Sequence, residues 1–331
     1  MKEIIVSSNE AGQRFDKLLQ KYLNNAPSSF IYKMLRKKNI TLNNKKAGGN
    51  EKLVVGDIIK IFLSDDTYNK FSSKTTNSYP CTSLDIVYED ENILLINKPA
   101  NMLSQKATAK DISLNEYMIG YLLKNQRLTE EEMVSFKPSV CNRLDRNTTG
   151  LIIAGVSLAG LQVMSDLLKN RLIDKYYLCV VSGKITDTKQ IDGYLTKDSK
   201  TNKVKISNSK SATSKDESDY IKTKYIPIIS NGALTLLKVK LITGKPHQIR
   251  AHLSSINHPI IGDYKYGNRQ INNLFKEKYN ITSQLLHSYE LDFHKVDGAL
   301  DYLSDKTFNA PLPDNFVKLI ENEGLNVNGE I

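Results

Sequence analysis

The sequence predicts an α+β fold with a small N-terminal module and a larger C-terminal domain. With 331 residues, the chain has room for about two domains of ~150 residues each. A polar stretch rich in Ser, Thr and Asn interrupts the hydrophobic pattern after residue 63, as is typical of a linker. Helix and strand patterns occur on both sides of it. We therefore expect a module at residues 12–63, a linker at 64–82 and a second domain at 83–320.

The module is predicted to begin with two helices followed by short strands. The first helix has apolar residues at the spacing of a single helix face: Phe15, Leu18, Leu19, Tyr22 and Leu23. Ser28 is expected to cap the second helix. The apolar face of that helix is formed by Ile31, Met34 and Leu35. Strands are predicted at 40–42 and within 53–63, with turns at Asn43–Asn44 and Gly56–Asp57.

Most of the net charge of +10 comes from one segment. Residues 12–62 hold 11 basic and 3 acidic side chains, a net charge of +8. Such a local excess indicates a surface for a polyanion, with nucleic acid as the first candidate and an anionic membrane as the second. The second helix carries a basic ridge of Lys33, Arg36, Lys37 and Lys38. An ordinary solvated helix face is the alternative, but the concentration of charge favours contact with a phosphate backbone.

Composition and motifs exclude several classes of protein. Hydrophobic residues make up 40% of the chain and charged residues 25%, which are globular proportions. No apolar run approaches the ~20 residues of a membrane-spanning helix, and the first residues lack the apolar stretch of a signal peptide. P-loop, GxGxxG and GxSxG motifs are missing. Cys81, Cys141 and Cys179 form no CxxC pair, so we expect no disulfide framework and a reduced, cytoplasmic location.

Metal chemistry is not expected either. All five histidines lie between residues 247 and 294. His247 and His252 are five residues apart, however, which does not place both on one helix face as a zinc-binding helix requires.

The segment CNRLDRNTTGLIIAG, residues 141–155, is the strongest candidate for a chemical site. Asp145 lies between Arg143 and Arg146 and shortly before a predicted buried strand, Leu151 to Ala154. The flanking guanidinium groups favour an ionised carboxylate, which can act as a nucleophile or a base but is a poor proton donor. The alternative is a structural turn that holds an ion pair.

Two further residues of the large domain are candidates. Tyr177 alternates with its neighbours on a predicted strand and can face either the core or a site. Arg250 lies near the start of a predicted helix, one position away from its apolar stripe, so it can reach into a neighbouring cleft. The polar tract at 196–219 is expected to form a mobile hairpin, a long loop or a plain surface insertion.

Five motifs in the large domain resemble, in their order, those of the RluA-type family of RNA pseudouridine synthases, and of its RluC and RluD members: RLDRNTTGL, KYY, GKPHQIRAHL, PIIGDYKYG and LLHS. Residues 12–62 resemble the RNA-binding module named after ribosomal protein S-four, with Arg14 and Arg36 where its pattern expects them. Together the resemblance covers roughly 12–62 and 84–316. It implies a mixed, largely antiparallel sheet with a central cleft, in an enzyme that isomerises uridine in structured RNA without a cofactor.

The resemblance also implies roles for single residues. Asp145 matches the catalytic aspartate, Tyr177 the tyrosine that packs against the target base, and Arg250 the arginine that pairs with the aspartate. The expected RNA contacts are basic: Arg14, Lys33, Arg36, Lys37, Lys38, Arg143, Arg146 and His247. The sequence departs from the usual motif residues at Asn101, Asn142, Thr149, Lys245 and Pro246, none of which is one of the three catalytic positions.

The expected substrate is large-subunit (23S) ribosomal RNA, modified by a cytoplasmic monomer that binds no metal and no membrane. The carboxylate can either attack the sugar or deprotonate it, and the sequence does not choose between these routes. Two other functions stay open at this point. One is an RNA-binding or ribosome-assembly factor without catalytic activity, and the other is a nucleosidase that uses water and releases free uracil.

Overall fold

The computed structural model describes residues 1–72, 78–197, 204–207 and 218–326. Within them the N-terminal part forms a small sheet of four strands in the order β1-β4-β2-β3, with helices packed on it. Its elements are β1 (Lys2–Ile5), α1 (Phe15–Tyr22), α2 (Ser28–Arg36), β2 (Ile40–Leu42), β3 (Lys45–Lys46), β4 (Ile58–Ile61) and α3 (Asp65–Phe71).

The core of this part confirms the two predicted helices and corrects one cap. Four of the five residues on the predicted face of α1 are fully buried, as are Ile31 and Leu35 of α2. Ser28 is not the N-cap, because α2 begins at Ser28 and Pro27 precedes it with φ −64° and ψ 146°. The proline ring fixes φ near −65°, so Pro27 sets the entry to the helix, and the Ser28 hydroxyl accepts a hydrogen bond from Gln20 instead.

Helix α3 lies inside the segment expected to be a linker. Ser64 caps it by accepting a hydrogen bond from the Thr67 N–H at 3.3 Å. Its aromatic side chains, Tyr68 and Phe71, pack against the N-terminal core, and the Phe71 ring lies 4.2 Å from that of Phe30. A seven-residue polar helix gives almost no periodic signal, since two aromatic residues carry all of its apolar contact.

The larger part is organised around one sheet of eleven strands within the described residues. The order of the main path is β11-β10-β12-β13-β9-β14-β8-β6-β5, with β7 beside β8 and β15 beside β14. Its strands are β5 (Ile86–Glu89), β6 (Ile93–Lys98), β7 (Ser139–Val140), β8 (Thr149–Gly155), β9 (Ile173–Ser182), β10 (Lys189–Lys197), β11 (Val204–Ser207), β12 (Ser218–Ser230), β13 (Leu234–Leu241), β14 (Leu286–Phe293) and β15 (Thr307–Asn309).

Helices cover both faces of this sheet. They are α4 (Leu114–Lys124), α5 (Glu132–Ser135), α6 (Leu158–Asn170), α7 (Gln248–Ser255), α8 (Arg269–Tyr279) and α9 (Asp314–Asn322), with a 3₁₀ turn at Gly298–Leu303. Successive residues of a strand face opposite sides of its sheet. Along β6, Leu94 and Ile96 accordingly belong to one hydrophobic core, and Ile93 and Leu95 to the other.

The strand pairing confirms the predicted mixed, largely antiparallel sheet. β5 and β6 form an antiparallel hairpin. β14 pairs in parallel with β8 and antiparallel with β9. In the polar tract at 196–219, β11 pairs with β10, whereas residues 198–203 and 208–217 lie outside the described residues.

The N-terminal part contacts the large sheet domain directly. The Asn9 side-chain oxygen accepts a hydrogen bond from the Leu158 N–H at 2.9 Å, and Lys21 Nζ donates to the Ser135 carbonyl at 2.6 Å. The first of these bonds satisfies an N–H group at the start of α6 that has no partner within the helix. Among the described residues, no helix combines the length and the apolar composition needed to cross a membrane.

Candidate active site

Asp145 lies in the connection between β7 and β8 and lines an open cleft of about 510 Å³. Its carbonyl closes a turn by accepting the Thr148 N–H at 3.1 Å, and the buried strand β8 begins at the next residue. The side chain is 25% exposed. The carboxylate is therefore supported by a rigid strand and still accessible from the cleft.

Two buried side chains hold the backbone on both sides of Asp145. The Ser104 hydroxyl donates to the Leu144 carbonyl at 2.9 Å and accepts the Leu144 N–H at 3.0 Å. Lys98 is fully buried, and its ammonium donates to the Arg146 carbonyl at 3.0 Å as well as to two carbonyls of its own loop. Burial lowers the pKa of Lys98 to about 7, against the opposing effect of the nearby Asp145 charge. Neither residue was singled out from the sequence.

Arg250 joins Asp145 to a second carboxylate. Its Nη1 donates to Asp145 Oδ2 at 2.7 Å, while Nε and Nη2 donate to the two oxygens of Asp263 at 2.7 and 2.9 Å. Asp263 is fully buried and also accepts the N–H groups of Lys265 and Tyr266. Burial alone would lower the pKa of Arg250, but Asp263 and then Asp145 outweigh it and raise that pKa above its usual value.

The flanking arginines do not contact Asp145 in the way the sequence suggested. Arg143 and Arg146 are exposed at the cleft, and no ion pair joins either of them to Asp145 within the described part of the chain. The guanidinium that contacts the carboxylate belongs to Arg250, 105 residues away. Proximity in the sequence therefore did not identify the guanidinium that pairs with Asp145.

Tyr177 reaches the same cleft from β9, and it is also part of the core. Its side chain is 5% exposed, and burial raises its pKa to about 12. Ser288 of β14 is its partner in the sheet. Gly150 allows this arrangement, because a Cβ there would lie 2.2 Å from the Ser288 carbonyl oxygen. Tyr177 is therefore packed in the core and also lines the cleft.

His247 lies beside the carboxylate at the start of α7. Its backbone is left-handed, with φ 56°, and Nδ1 lies 2.8 Å from the Tyr266 hydroxyl. Nε2 is 3.9 Å from Asp145 Oδ2. Burial lowers the pKa of His247, although the Asp145 charge acts in the opposite direction. Tyr266 in turn accepts the N–H of Val204, which connects β11 to the site.

The other predicted RNA contacts lie on the N-terminal part. Lys33, Arg36, Lys37 and Lys38 are exposed along and just after α2. Arg14 is half-exposed and donates twice to the buried Asp16, at 3.0 Å each. None of these five residues lines the cleft. In the part of the chain that the structure describes, no group of three or more His, Cys, Asp or Glu side chains is placed to hold a metal ion.

Known proteins share this sequence and architecture. A sequence model of the family described as RNA pseudouridylate synthase matches residues 92–255. The chain is 31% identical over 315 residues to an uncharacterized RNA pseudouridine synthase of Mycoplasma capricolum subsp. capricolum, covering 92% of this chain and 96% of that protein. It is 30% identical over 322 residues to the ribosomal large subunit pseudouridine synthase C of Buchnera aphidicola subsp. Baizongia pistaciae, covering 96% of each.

The chain belongs to the RluA-type RNA pseudouridine synthases. The solved structure of human RNA pseudouridylate synthase domain containing 4 has the same fold, with a TM-score of 0.58 at 20% identity over 72% of this chain and 92% of that one. In this pseudouridine synthase the cleft brings together three groups of different character. They are a carboxylate, a guanidinium paired with it and the aromatic side chain of Tyr177.

Proposed function

We propose that this pseudouridine synthase acts on uridine in large-subunit ribosomal RNA, with the Asp145 carboxylate as the group that reacts with the sugar. One observation carries this proposal. Among the described residues that line the cleft, Asp145 is the only carboxylate, and it is paired with Arg250 at 2.7 Å. Enzymes that hydrolyse glycosidic bonds generally use two acids, one of them protonated, so a site with a single carboxylate favours isomerisation.

The reaction needs no external reagent. The bond from ribose C1′ to N1 of uracil breaks, the base turns, and C1′ joins C5. The C5 proton passes to solvent, and N1 takes up a proton. Because electrons and atoms balance within the nucleotide and water, the proposal includes no metal or other cofactor. Asp145 either attacks C1′ or removes a proton from the sugar, and both routes require the ionised carboxylate.

The substrate assignment rests on charge and on the relatives. Six Lys or Arg side chains line the cleft around one acid, and a further basic surface lies on α2. Relatives from Buchnera and Vibrio are named as ribosomal large subunit synthases. The target base must leave its stack to reach Asp145, which costs a few kcal/mol, offset by packing against Tyr177 and by phosphate contacts. We propose that the protein does this as a cytoplasmic monomer, with the S-four-type module binding the RNA.

The experiment is tritium release from a transcript of large-subunit ribosomal RNA labelled at uracil C5. The native protein is expected to release tritium, whereas Asp145→Asn releases none and still binds the RNA. Asp166→Asn, an exposed carboxylate on α6, is the matched control and retains full release. Unchanged release by Asp145→Asn would remove this residue from the mechanism.

Two further readouts separate the alternatives. Chromatography of the products shows free uracil if the enzyme is a nucleosidase and pseudouridine if it is an isomerase. An RNA-binding factor without activity would bind the transcript and release no tritium in its native form. Mapping pseudouridine in ribosomal RNA with and without the gene then identifies the modified position.

A further inference from the structure

Lys175 shares the cleft with the reacting groups and has no role so far. It lies on β9 two residues before Tyr177, so both side chains face the same side of the sheet. Both line the cleft together with Asp145. The ammonium extends to the turn at Gly244, where a Cβ added to the glycine would lie 3.9 Å from Lys175 Nζ and meet nothing else within 4 Å. The amine thus lies in the cleft beside this turn.

This ammonium has no partner within the described residues. Two other lysines of the cleft are paired, Lys106 with Glu116 at 3.7 Å and Lys245 with Asp219 at 2.6 Å. No hydrogen bond or ion pair joins the Lys175 side chain to any of residues 1–72, 78–197, 204–207 or 218–326. The neighbouring Asp174 is engaged with Lys240 and with His294.

The surroundings of Lys175 disfavour its charged form when no RNA is bound. Burial lowers the pKa of Lys175, the Arg171 charge adds to that effect, and the Asp174 charge opposes it. A partly buried charge without a partner, such as Lys175, costs stability. A cleft that retains such a charge beside its reacting groups is suited to an anion that arrives with the substrate.

We propose that Lys175 binds a phosphate group of the RNA next to the uridine whose base packs against Tyr177. The proposal rests on the function proposed above. Two residues of a strand span about 7 Å, a separation similar to that between a base and the phosphates of its own nucleotide. Phosphate is the anionic group of RNA, and a lysine binds it as a flexible point charge. Lys175 is therefore a binding residue rather than a catalytic one.

Two pairs of variants test this directly. Lys175→Met removes the charge and keeps the aliphatic stem, whereas Lys175→Arg keeps the charge. Gly244→Asp introduces a carboxylate beside the ammonium, and Gly244→Asn is its neutral counterpart. Lys184→Met, at an exposed lysine beyond the end of β9, is the control for loss of charge. Each protein is assayed for tritium release and for binding to the large-subunit RNA transcript at several salt concentrations.

Lys175→Met and Gly244→Asp are expected to weaken RNA binding about 10–100-fold, as loss of a charge-assisted hydrogen bond does. The slope of log affinity against log salt should fall by about 0.7–0.9, the contribution of one phosphate contact. Lys175→Arg, Gly244→Asn and Lys184→Met should bind like the native protein. Because an unpaired, partly buried charge is removed, the Tm of Lys175→Met should rise by about 2–4 °C.

The outcomes separate this proposal from the proposed function. If Lys175→Met leaves affinity and salt slope unchanged, or if Lys175→Arg is impaired as strongly as Lys175→Met, the phosphate contact is wrong. A lower Tm for Lys175→Met would assign the residue a structural role and overturn the proposal. If the native protein releases no tritium, the proposed function fails, and the salt slopes of binding still decide whether Lys175 contacts a phosphate.

Discussion

Arg250 and Asp263 form a buried pair in which two nitrogens of the guanidinium meet both carboxylate oxygens, at 2.7 and 2.9 Å. These two hydrogen bonds use Nε and Nη2 of Arg250. The remaining nitrogen, Nη1, donates to Asp145. Asp263 thus holds Arg250 against Asp145 without contacting the Asp145 carboxylate. We therefore propose Asp263 as a positioning residue.

Asp263→Asn is expected to lower both stability and turnover. Removing one partner of a buried pair leaves the other charge uncompensated, which costs about 3–5 kcal/mol, and Arg250 loses the contacts that aim it at Asp145. Urea unfolding and kcat for tritium release measure the two effects. Asp297→Asn breaks the exposed pair with Lys295 and should leave both unchanged. An Asp263→Asn protein that unfolds and turns over like the native one would refute the positioning role.

Ser104→Ala should reduce kcat more than it changes RNA binding. The serine hydroxyl satisfies both the N–H and the carbonyl of Leu144, the residue before Asp145. Leaving a buried N–H without a partner costs about 1–3 kcal/mol and loosens the loop that carries the carboxylate. Ser165→Ala, on the exposed side of α6, is the control. Equal kcat values for the two variants would show that Ser104 does not position the site.

The free energy of unfolding should fall as pH drops from about 6.5 to about 4. Burial lowers the pKa values of both His252 and His287 to about 4, so in this range the unfolded chain binds protons that the folded protein does not. The stabilisation is complete above pH 6.5 and decreases as pH falls, by up to about 3 kcal/mol for each histidine. Urea titrations from pH 7 to pH 4.5 measure this dependence, and the free energy of unfolding of His287→Gln should change less with pH than that of the native protein. An equal pH dependence in the two proteins would show that the pKa of His287 is not lowered by folding.

The basic ridge of α2 should contribute to RNA binding through charge alone. Replacing its four residues with Gln is expected to reduce the slope of log affinity against log salt by about 3, since each phosphate contact contributes about 0.7–0.9. The ridge residues are Lys33, Arg36, Lys37 and Lys38. A control with the same change in net charge replaces four exposed lysines elsewhere, Lys124, Lys169, Lys184 and Lys318. If the slope of log affinity against log salt falls equally in the ridge variant and in the control, the ridge is not a specific RNA surface.

The local spacing of apolar and polar residues was sufficient to predict many of the helices and strands. Helix α1 was predictable because its buried face repeats over two turns, and the hairpin of β5 and β6 because two apolar runs flank a polar turn. The helix at Asp65–Phe71 was missed because its apolar contacts come from Tyr68 and Phe71 alone. The cap at Ser28 was wrong because proline fixed the backbone one residue earlier.

The site was predictable only in part, since its contacts join distant segments. Asp145 and Arg250 were found through motifs, and the structure places them 2.7 Å apart. Asp263, Ser104 and Lys98 act through hydrogen bonds to residues 13, 40 and 48 positions away. No periodicity or spacing connects such pairs before the sheet is assembled.

The bond from Leu158 N–H to Asn9 constrains how this chain can be shortened. Asn9 precedes α1 in the N-terminal part, whereas Leu158 is the first residue of α6 in the large sheet domain. The N-terminal part therefore supplies the acceptor for an N–H group at the start of α6. A fragment cut after residue 63 would expose that N–H together with the Ser135 carbonyl. The basic N-terminal part is thus hydrogen-bonded to the large sheet domain at two places. It is not connected to that domain through the linker alone.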